Sequence, residues 1–348
     1  MLVSDYNYDL PETLIAKFPP EERGSTRLLV LDRHTGATKD SYYRDLDQLL
    51  NPGDVLILND TRVMQSRLFC ELPDGRQREL VVLEKHGDEP QRVMYRGKLH
   101  AGDRLIVKHQ TISPDNQPEV TITKILGNGI AEVVSDLPLA SLAEKYGTVP
   151  LPPYLHRTAT EADKARYQTV WAKNLGSAAA PTASLNMTED LLNRLRQKGV
   201  IIKYVTLHVG LGTFLPIRTD KIEDHQIHSE WFSIPKDTLA AIEKVRQARA
   251  NGQPATRPRI VALGTTVART LEYYAKTGQT EGEDDIYIYP GFEFQIVDAM
   301  LTNFHAPKST VLMLAAAFAG WEHLKQAYAH AISQQYHFLS YGDSMFIC

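Results

Sequence analysis

Apolar and polar positions repeat with different periods along the chain, and the changes of period mark its organisation. Near the start, Asp9-Leu10-Pro11-Glu12 has the form of a helix start with proline in the first turn, and Pro19-Pro20 stops it. Apolar runs at 27–31, 54–58, 200–207, 259–263, 286–289 and 299–301 read as strands. Helix patterns occupy 162–173, 188–198 (with Thr188 as N-cap), 235–250, 267–275, 309–318 and 322–333, and a short helix closes at 46–50. From 63 to about 136 the texture differs. Short alternating runs at 63–69, 79–83, 104–107, 120–125 and 130–134 are separated by turns such as Pro73-Asp74-Gly75 and Ala101-Gly102-Asp103. The pattern predicts the α/β class: an α/β body at 1–61 and 150–348, its sheet completed by both chain ends, with an inserted antiparallel β-barrel domain at 62–149.

Composition narrows this picture only slightly. Lys and Arg number 38 against 42 Asp and Glu, a net charge of −4, so no global basic field announces nucleic acid, although a local groove can still bind it. Two cysteines, Cys70 and Cys348, cannot build a disulfide framework or a cysteine zinc cage. The first residues carry acids where a secretory signal needs bases, and the longest apolar run, 311–320, is too short to span a bilayer. A soluble cytoplasmic protein without membrane contact is expected, with a monomer as the default.

Candidate chemistry gathers behind the run at 200–207. The strand ends in His208, Gly210 and Gly212 bracket a turn, and Thr213, Arg218, Asp224, His225, His228 and Glu230 follow. A single histidine there would read as packing; three, with two carboxylates and an arginine, read as a site. His225 and His228 at i, i+3 invite a metal, but the spacing is loose and no second such pair supports it. Gly264-Thr265-Thr266 joins a strand to a helix N-terminus, which is either a plain cap or an anion site. Asn303 and His305 stand just beyond another strand tip. Asn59-Asp60-Thr61-Arg62 reads as an Asx-turn beside an arginine placed to clamp a phosphate or carboxylate. Asp343, in an unusually specific chain end, is an acid partner or a cap. Gly127-Asn128-Gly129 lies between strands and reads as a hairpin turn, not a nucleotide loop.

In order along nearly the whole chain, several segments together resemble one family. They are Tyr8-Asp9-Leu10-Pro11, Asn59-Asp60-Thr61-Arg62-Val63, Pro150-Leu151-Pro152-Pro153-Tyr154, Tyr167-Gln168-Thr169-Val170 and residues 206–214. Glu223-Asp224-His225, His228-Ser229-Glu230, Gly264-Thr265-Thr266, Thr302-Asn303-Phe304-His305 and Ser340-Tyr341-Gly342-Asp343 continue the match. The family is the S-adenosylmethionine:tRNA ribosyltransferase-isomerases (QueA).

The resemblance implies that the ribosyl part of S-adenosylmethionine moves onto 7-aminomethyl-7-deazaguanine at the wobble position of tRNA, giving epoxyqueuosine. S-adenosyl-L-methionine is then a substrate, and no metal is expected. Under this reading His208, His225 and Asp224 are expected to move protons. Asn303 and His305 orient substrate, while Arg62 and the Gly264-Thr265-Thr266 helix start hold anions. Thr182, Gly210, Gly212, Thr213, Arg218, His228 and Asp343 complete the expected binding set. One loop departs from the family's P-T-A-G-L-H-F: here it reads Pro181-Thr182-Ala183-Ser184-Leu185-Asn186-Met187. Gln65-Ser66 also stands where the family tends to have Pro-Ala. These changes raise the alternative of a tRNA-binding relative with weakened or absent catalysis. A histidine-metal hydrolase and a methyltransferase are further rivals.

Overall fold

The five residues Leu56 and its neighbours on β3 (Val55–Asn59) are all buried, which a strand achieves only when both faces of its sheet are covered. The computed structural model describes residues 1–83, 90–113, 117–127, 129–210, 217–251 and 257–348. In it β3 is flanked on both sides by parallel strands, β12 (Ile201–Leu207) and β14 (Ile260–Leu263), and β16 (Ala299–Asn303) lies parallel beyond β14. Past β16 the directions mix. β17 (Ser344–Ile347) runs antiparallel to β16 but parallel to β1 (Arg27–Leu31), and β2 (Thr38–Tyr42) forms that edge. At the other edge β13 (Glu230–Ser233) adds antiparallel to β12, and β15 (Glu281–Asp284) antiparallel to β13. Both chain ends do complete the sheet, which is a nine-stranded mixed one.

Alternation along β3 sorts the core into two layers. Val55 and Ile57 face α4 (Lys236–Asn251) and α5 (Thr265–Thr277), and α6 (Thr310–Ala319) and α7 (Trp321–Ser333) join the same layer. Leu56 and Leu58 face Leu191, Leu192 and Leu195 of α3 (Glu189–Gln197), together with Tyr43 and Leu46. Thr188 caps α3 as expected, its hydroxyl accepting from Leu191 N at 3.1 Å.

The barrel is closed and wholly antiparallel. Its strands are β5 (Arg67–Glu71), β6 (Gln77–Val82), β7 (Arg92–Tyr95), β8 (Arg104–Val107), β9 (Glu119–Gly127) and β10 (Ile130–Ser135), joined in the order β10-β7-β6-β5-β8-β9. Leu68, Leu80, Val93, Leu105, Val120 and Val133 fill it, and α1 (Leu139–Tyr146) closes one side with Leu139 and Leu142. The chain leaves the body through β4 (Thr61–Val63) and returns through α2 (Glu161–Arg166) and β11 (Asn174–Ser177), which pairs parallel with β4.

Several expectations need correction. The segment 286–289 joins no ladder; the edge strand here is β15, just before it. Asp9 to Glu12 opens only a 3-10 turn at Glu12–Leu14, and the helix expected over 162–173 ends at Arg166. Gly127 and Gly129 both take positive φ, as a hairpin requires; Asn128 between them lies outside the described residues.

The return to the body is tight. Arg67 and Thr148 exchange backbone bonds of 3.1 and 2.8 Å, and Gly147 sits so close that a Cβ there would lie 1.7 Å from the Gln65 carbonyl oxygen. The obstacle is backbone, which cannot swing aside. Gly147→Ala should therefore cost about 2–4 kcal/mol, read as a fall in the urea midpoint, with the strain confined to the barrel junction.

Candidate active site

The carboxyl ends of β12, β3, β14 and β16 lie side by side, the place where open α/β sheets bind ligands. His208 follows β12, Asn59 ends β3, Gly264 follows β14, and Asn303 ends β16. Asn59 is spent on structure: its Nδ2 donates to Leu207 O at 2.9 Å, and its Oδ1 accepts from Leu207 N and Thr61 N. Asp60 accepts from the Thr206 hydroxyl at 2.6 Å and from Asn174 at 3.0 Å. Thr61 Oγ1 then meets His208 Nδ1 at 2.7 Å. The imidazole is stacked on Trp231 at 5.1 Å and pressed on Gly176, where a Cβ would come 2.6 Å from Nε2.

Two clefts open above these ends. The larger, about 760 Å³, is bordered by Thr182, Gly264, Asn303, His305, Tyr154 and Ser340. The smaller, about 550 Å³, is bordered by His225, His228, Glu230, Arg269 and Tyr287. Thr265, Thr266 and Val311 border both, so the two share a wall built from the start of α5. Gly264 caps that helix at φ 98° without any side-chain bond, which leaves its first N–H groups and its positive dipole end turned towards the clefts.

In the larger cleft Thr182 donates its hydroxyl to Asn303 Oδ1 at 2.8 Å, and Asn303 Nδ2 donates to the Asp343 carbonyl at 3.3 Å. His305 Nε2 lies 2.8 Å from Thr302 Oγ1, and burial pushes its pKa down to about 3, so it is a neutral ring at pH 7. In the smaller cleft His225 is also held neutral, first by burial and then by His228, and packs edge-on against Tyr287 at 5.5 Å. Behind it the buried Arg269 guanidinium lies between Glu230 and Asp284, and burial raises the Asp284 carboxyl to about 6.

The family described as "Queuosine biosynthesis protein" matches residues 3–347. The chain belongs to this family. It is 51% identical over its full length to the S-adenosylmethionine:tRNA ribosyltransferase-isomerases of Pelodictyon phaeoclathratiforme and of Chlorobium phaeobacteroides, each covered completely. Among solved structures, the S-adenosylmethionine tRNA ribosyltransferase of Thermotoga maritima is similar at 30% identity and TM-score 0.54, over 99% of this chain and 100% of that one.

The residues singled out in the sequence divide into groups. Thr182, Gly264, Thr265, Thr266, Asn303 and His305 border the larger cleft; His225 and His228 border the smaller. His208 stands behind the wall, and Gly210 donates its N–H to Glu230 at 2.8 Å. Arg62, Arg218 and Asp224 are exposed and border neither cleft. Asp343 is buried, accepting from the N–H groups of Arg27 and His337 at 2.7 Å each, which ties down the chain end. Gly212 and Thr213 lie outside the described residues. Arg269 and Asp284 went unnoticed. Arg269 is four residues from Thr265, on the same side of α5, and that spacing was a usable signal.

The altered loop lies mostly behind the cleft. Thr182 and Ala183 border it, whereas Ser184, Asn186 and Met187 are buried. Asn186 Nδ2 donates to the Gly342 carbonyl at 3.3 Å, and Met187 joins the core under α3. Ser184 is not among the residues with positive φ, so this backbone does not need the freedom of glycine. No group of three or more His, Cys, Asp or Glu among the described residues is arranged to hold a metal ion, and none of their helices is long and apolar enough to cross a membrane.

The His305 shift gives a stability test with a definite sign. An unfolded imidazole takes a proton near pH 6.5, while folded His305 holds out to about 3, so stability present above 6.5 drains away as pH falls. Between pH 7 and pH 4 wild type should lose about 3 kcal/mol more than His305→Gln, measured by denaturant unfolding at each pH. Equal pH slopes for the two proteins would contradict it.

Proposed function

We propose that this protein transfers and isomerises the ribosyl moiety of S-adenosylmethionine onto 7-aminomethyl-7-deazaguanine in tRNA, giving epoxyqueuosine and releasing adenine and methionine. The observation that carries the reading is the shared wall: two substrates must meet, and two clefts adjoin across one helix N-terminus. In this reading the methionine carboxylate sits against the first N–H groups of α5 with the hydroxyls of Thr265 and Thr266. Thr182, Asn303 and His305 orient the group held in the larger cleft.

The sulfonium acidifies the protons of the adjoining ribose carbon, so a neutral base beside it can start the reaction. His225 is assigned that role, since burial and His228 keep it unprotonated. His305, with its pKa near 3, serves as a hydrogen-bond partner and not as the acid for departing adenine. His208 acts through the turn that it begins. Asp224, exposed beside His225, takes part only if it turns inward. Arg62 and Arg218, both exposed, are assigned to tRNA phosphates. No step uses a metal ion, and a substrate of this kind places the protein in the cytoplasm. The same reading divides the chain into a body at 1–61 and 150–348 and a barrel unit at 62–149.

A tRNA-binding relative without catalysis is the competing reading. It drew on the altered loop, yet Ser184, Asn186 and Met187 are buried behind the cleft. Single-turnover adenine release from S-adenosylmethionine separates the two. Release only in the presence of tRNA carrying the aminomethyl-deazaguanine base is the expected result. Binding of that tRNA with no adenine formed would bring the non-catalytic reading forward. Under the favoured reading His225→Ala should slow release by about 10²–10⁴-fold with tRNA binding little changed.

A further inference from the structure

Glu230 opens β13, only 5% exposed, and its two oxygens face two different N–H donors. Oε1 accepts from Gly210 N at 2.8 Å, two residues beyond His208; Oε2 accepts from Arg269 Nη1 at 2.9 Å. The same guanidinium then reaches three more acceptors. Its Nη2 donates to the carbonyls of His228 at 3.1 Å and Asp284 at 2.6 Å, and its Nε lies 3.3 Å from Asp284 Oδ1. Asp284 Oδ1 in turn accepts from Ile286 N at 3.0 Å, at the start of the segment that carries Tyr287. One arginine on α5 thus holds the His228 and Asp284 carbonyls directly, and through Glu230 it holds Gly210, which follows β12.

We infer that Glu230 and Arg269 are positioning residues for ribosyl transfer: they set the smaller cleft's histidine wall and the His208–Gly210 turn at a fixed distance from the α5 N-terminus that both clefts share. The inference rests on the function proposed above. Its chemistry is specific to a carboxylate. Among the described residues Gly210 N and Arg269 Nη1 converge on Glu230, and a glutamine turned either way presents its own NH2 to one of them, so Glu230→Gln keeps the volume but loses at least one of these bonds. Arg269→Lys keeps the charge, but an ammonium on a single stem cannot reproduce the planar fork that spans Glu230 and Asp284. Displacement of a reacting group by about 1 Å is enough to slow a reaction about 10²-fold.

The test uses full-length wild type, Glu230→Gln and Arg269→Lys, with kcat and KM for S-adenosylmethionine, tRNA affinity and thermal melting measured for each. A positioning role predicts that kcat falls about 30-fold or more in both variants. KM should stay within about threefold and tRNA affinity within about twofold, with a cooperative melt retained. Folded variants that keep wild-type kcat would overturn the inference. So would a loss that appears wholly in KM. Should Glu230→Gln fail to fold, Arg269→Lys decides; failure of both to fold also overturns it, since the pair would then hold the fold and not the site. Wild type that releases no adenine instead overturns the functional reading beneath it, which separates the two failures.

Discussion

The stitch made by Asn59 is what the rest of the arrangement hangs on. Its carboxamide is fully buried at the end of the central strand, and it both donates to and accepts from the backbone of Leu207 while accepting from Thr61. Leaving such an amide unpaired would cost about 1–3 kcal/mol per group, so β3 and β12 must end in register. That register fixes where Thr61 meets His208 and where Asp60 meets Thr206 and Asn174. It also fixes where the chain departs for the barrel. Asp60 O accepts from the N–H groups of Lys173 and Asn174 on the returning strand, and Asn59 O accepts from Trp171 Nε1 at 2.8 Å. The Asx-turn read at 59–62 is therefore a joint, with Arg62 alone turned outward, as strand alternation after the buried Thr61 requires.

Beyond that joint the site is assembled from opposed electrostatic parts. The uncapped start of α5 presents positive potential to both clefts, while Glu230 and Asp284 place two carboxylates around one guanidinium just beneath. Burial disfavours the ionised form of Asp284 and raises its carboxyl to about 6, with Arg269 pulling it back down and Glu230 adding a lesser upward push. The cleft histidines respond to the same desolvation in the other direction. His225 and His305 are both driven towards their neutral forms, so each offers an unprotonated ring nitrogen to a hydrogen-bond donor.

The altered loop shows how misleading a motif can be without its neighbours. Written out, Ser184-Leu185-Asn186-Met187 removes a glycine, a histidine and an aromatic from a family pattern and looks like damage to a site. In the fold the three substituted side chains point into the interior, where Asn186 still donates to the chain end through Gly342 and Met187 fills apolar space. Thr182, just before them, is the residue that borders the cleft and bonds Asn303.

The sequence by itself determined the class of fold, the barrel and most of the central strands and helices, because those depend on local periodicity and turn residues. The runs at 54–58, 200–207 and 259–263 are apolar stretches each adjoining a glycine (Gly53, Gly199 and Gly264), and 188–198 carries its own cap. Order along the chain likewise made the family legible. Strand β13, the edge strand β15 and the barrel strand β7 escaped notice, since each is only four residues long and its own pattern is weak. The same holds for the site. Local chemistry picked out Thr265, His225, Asn303 and His305, which border the clefts, but it could not tell them from Asp343, whose carboxylate serves the backbone of Arg27 and His337. Only tertiary structure brought Arg269 and Asp284 against Glu230, because that cluster joins three segments whose spacing in sequence carries no trace of their contact.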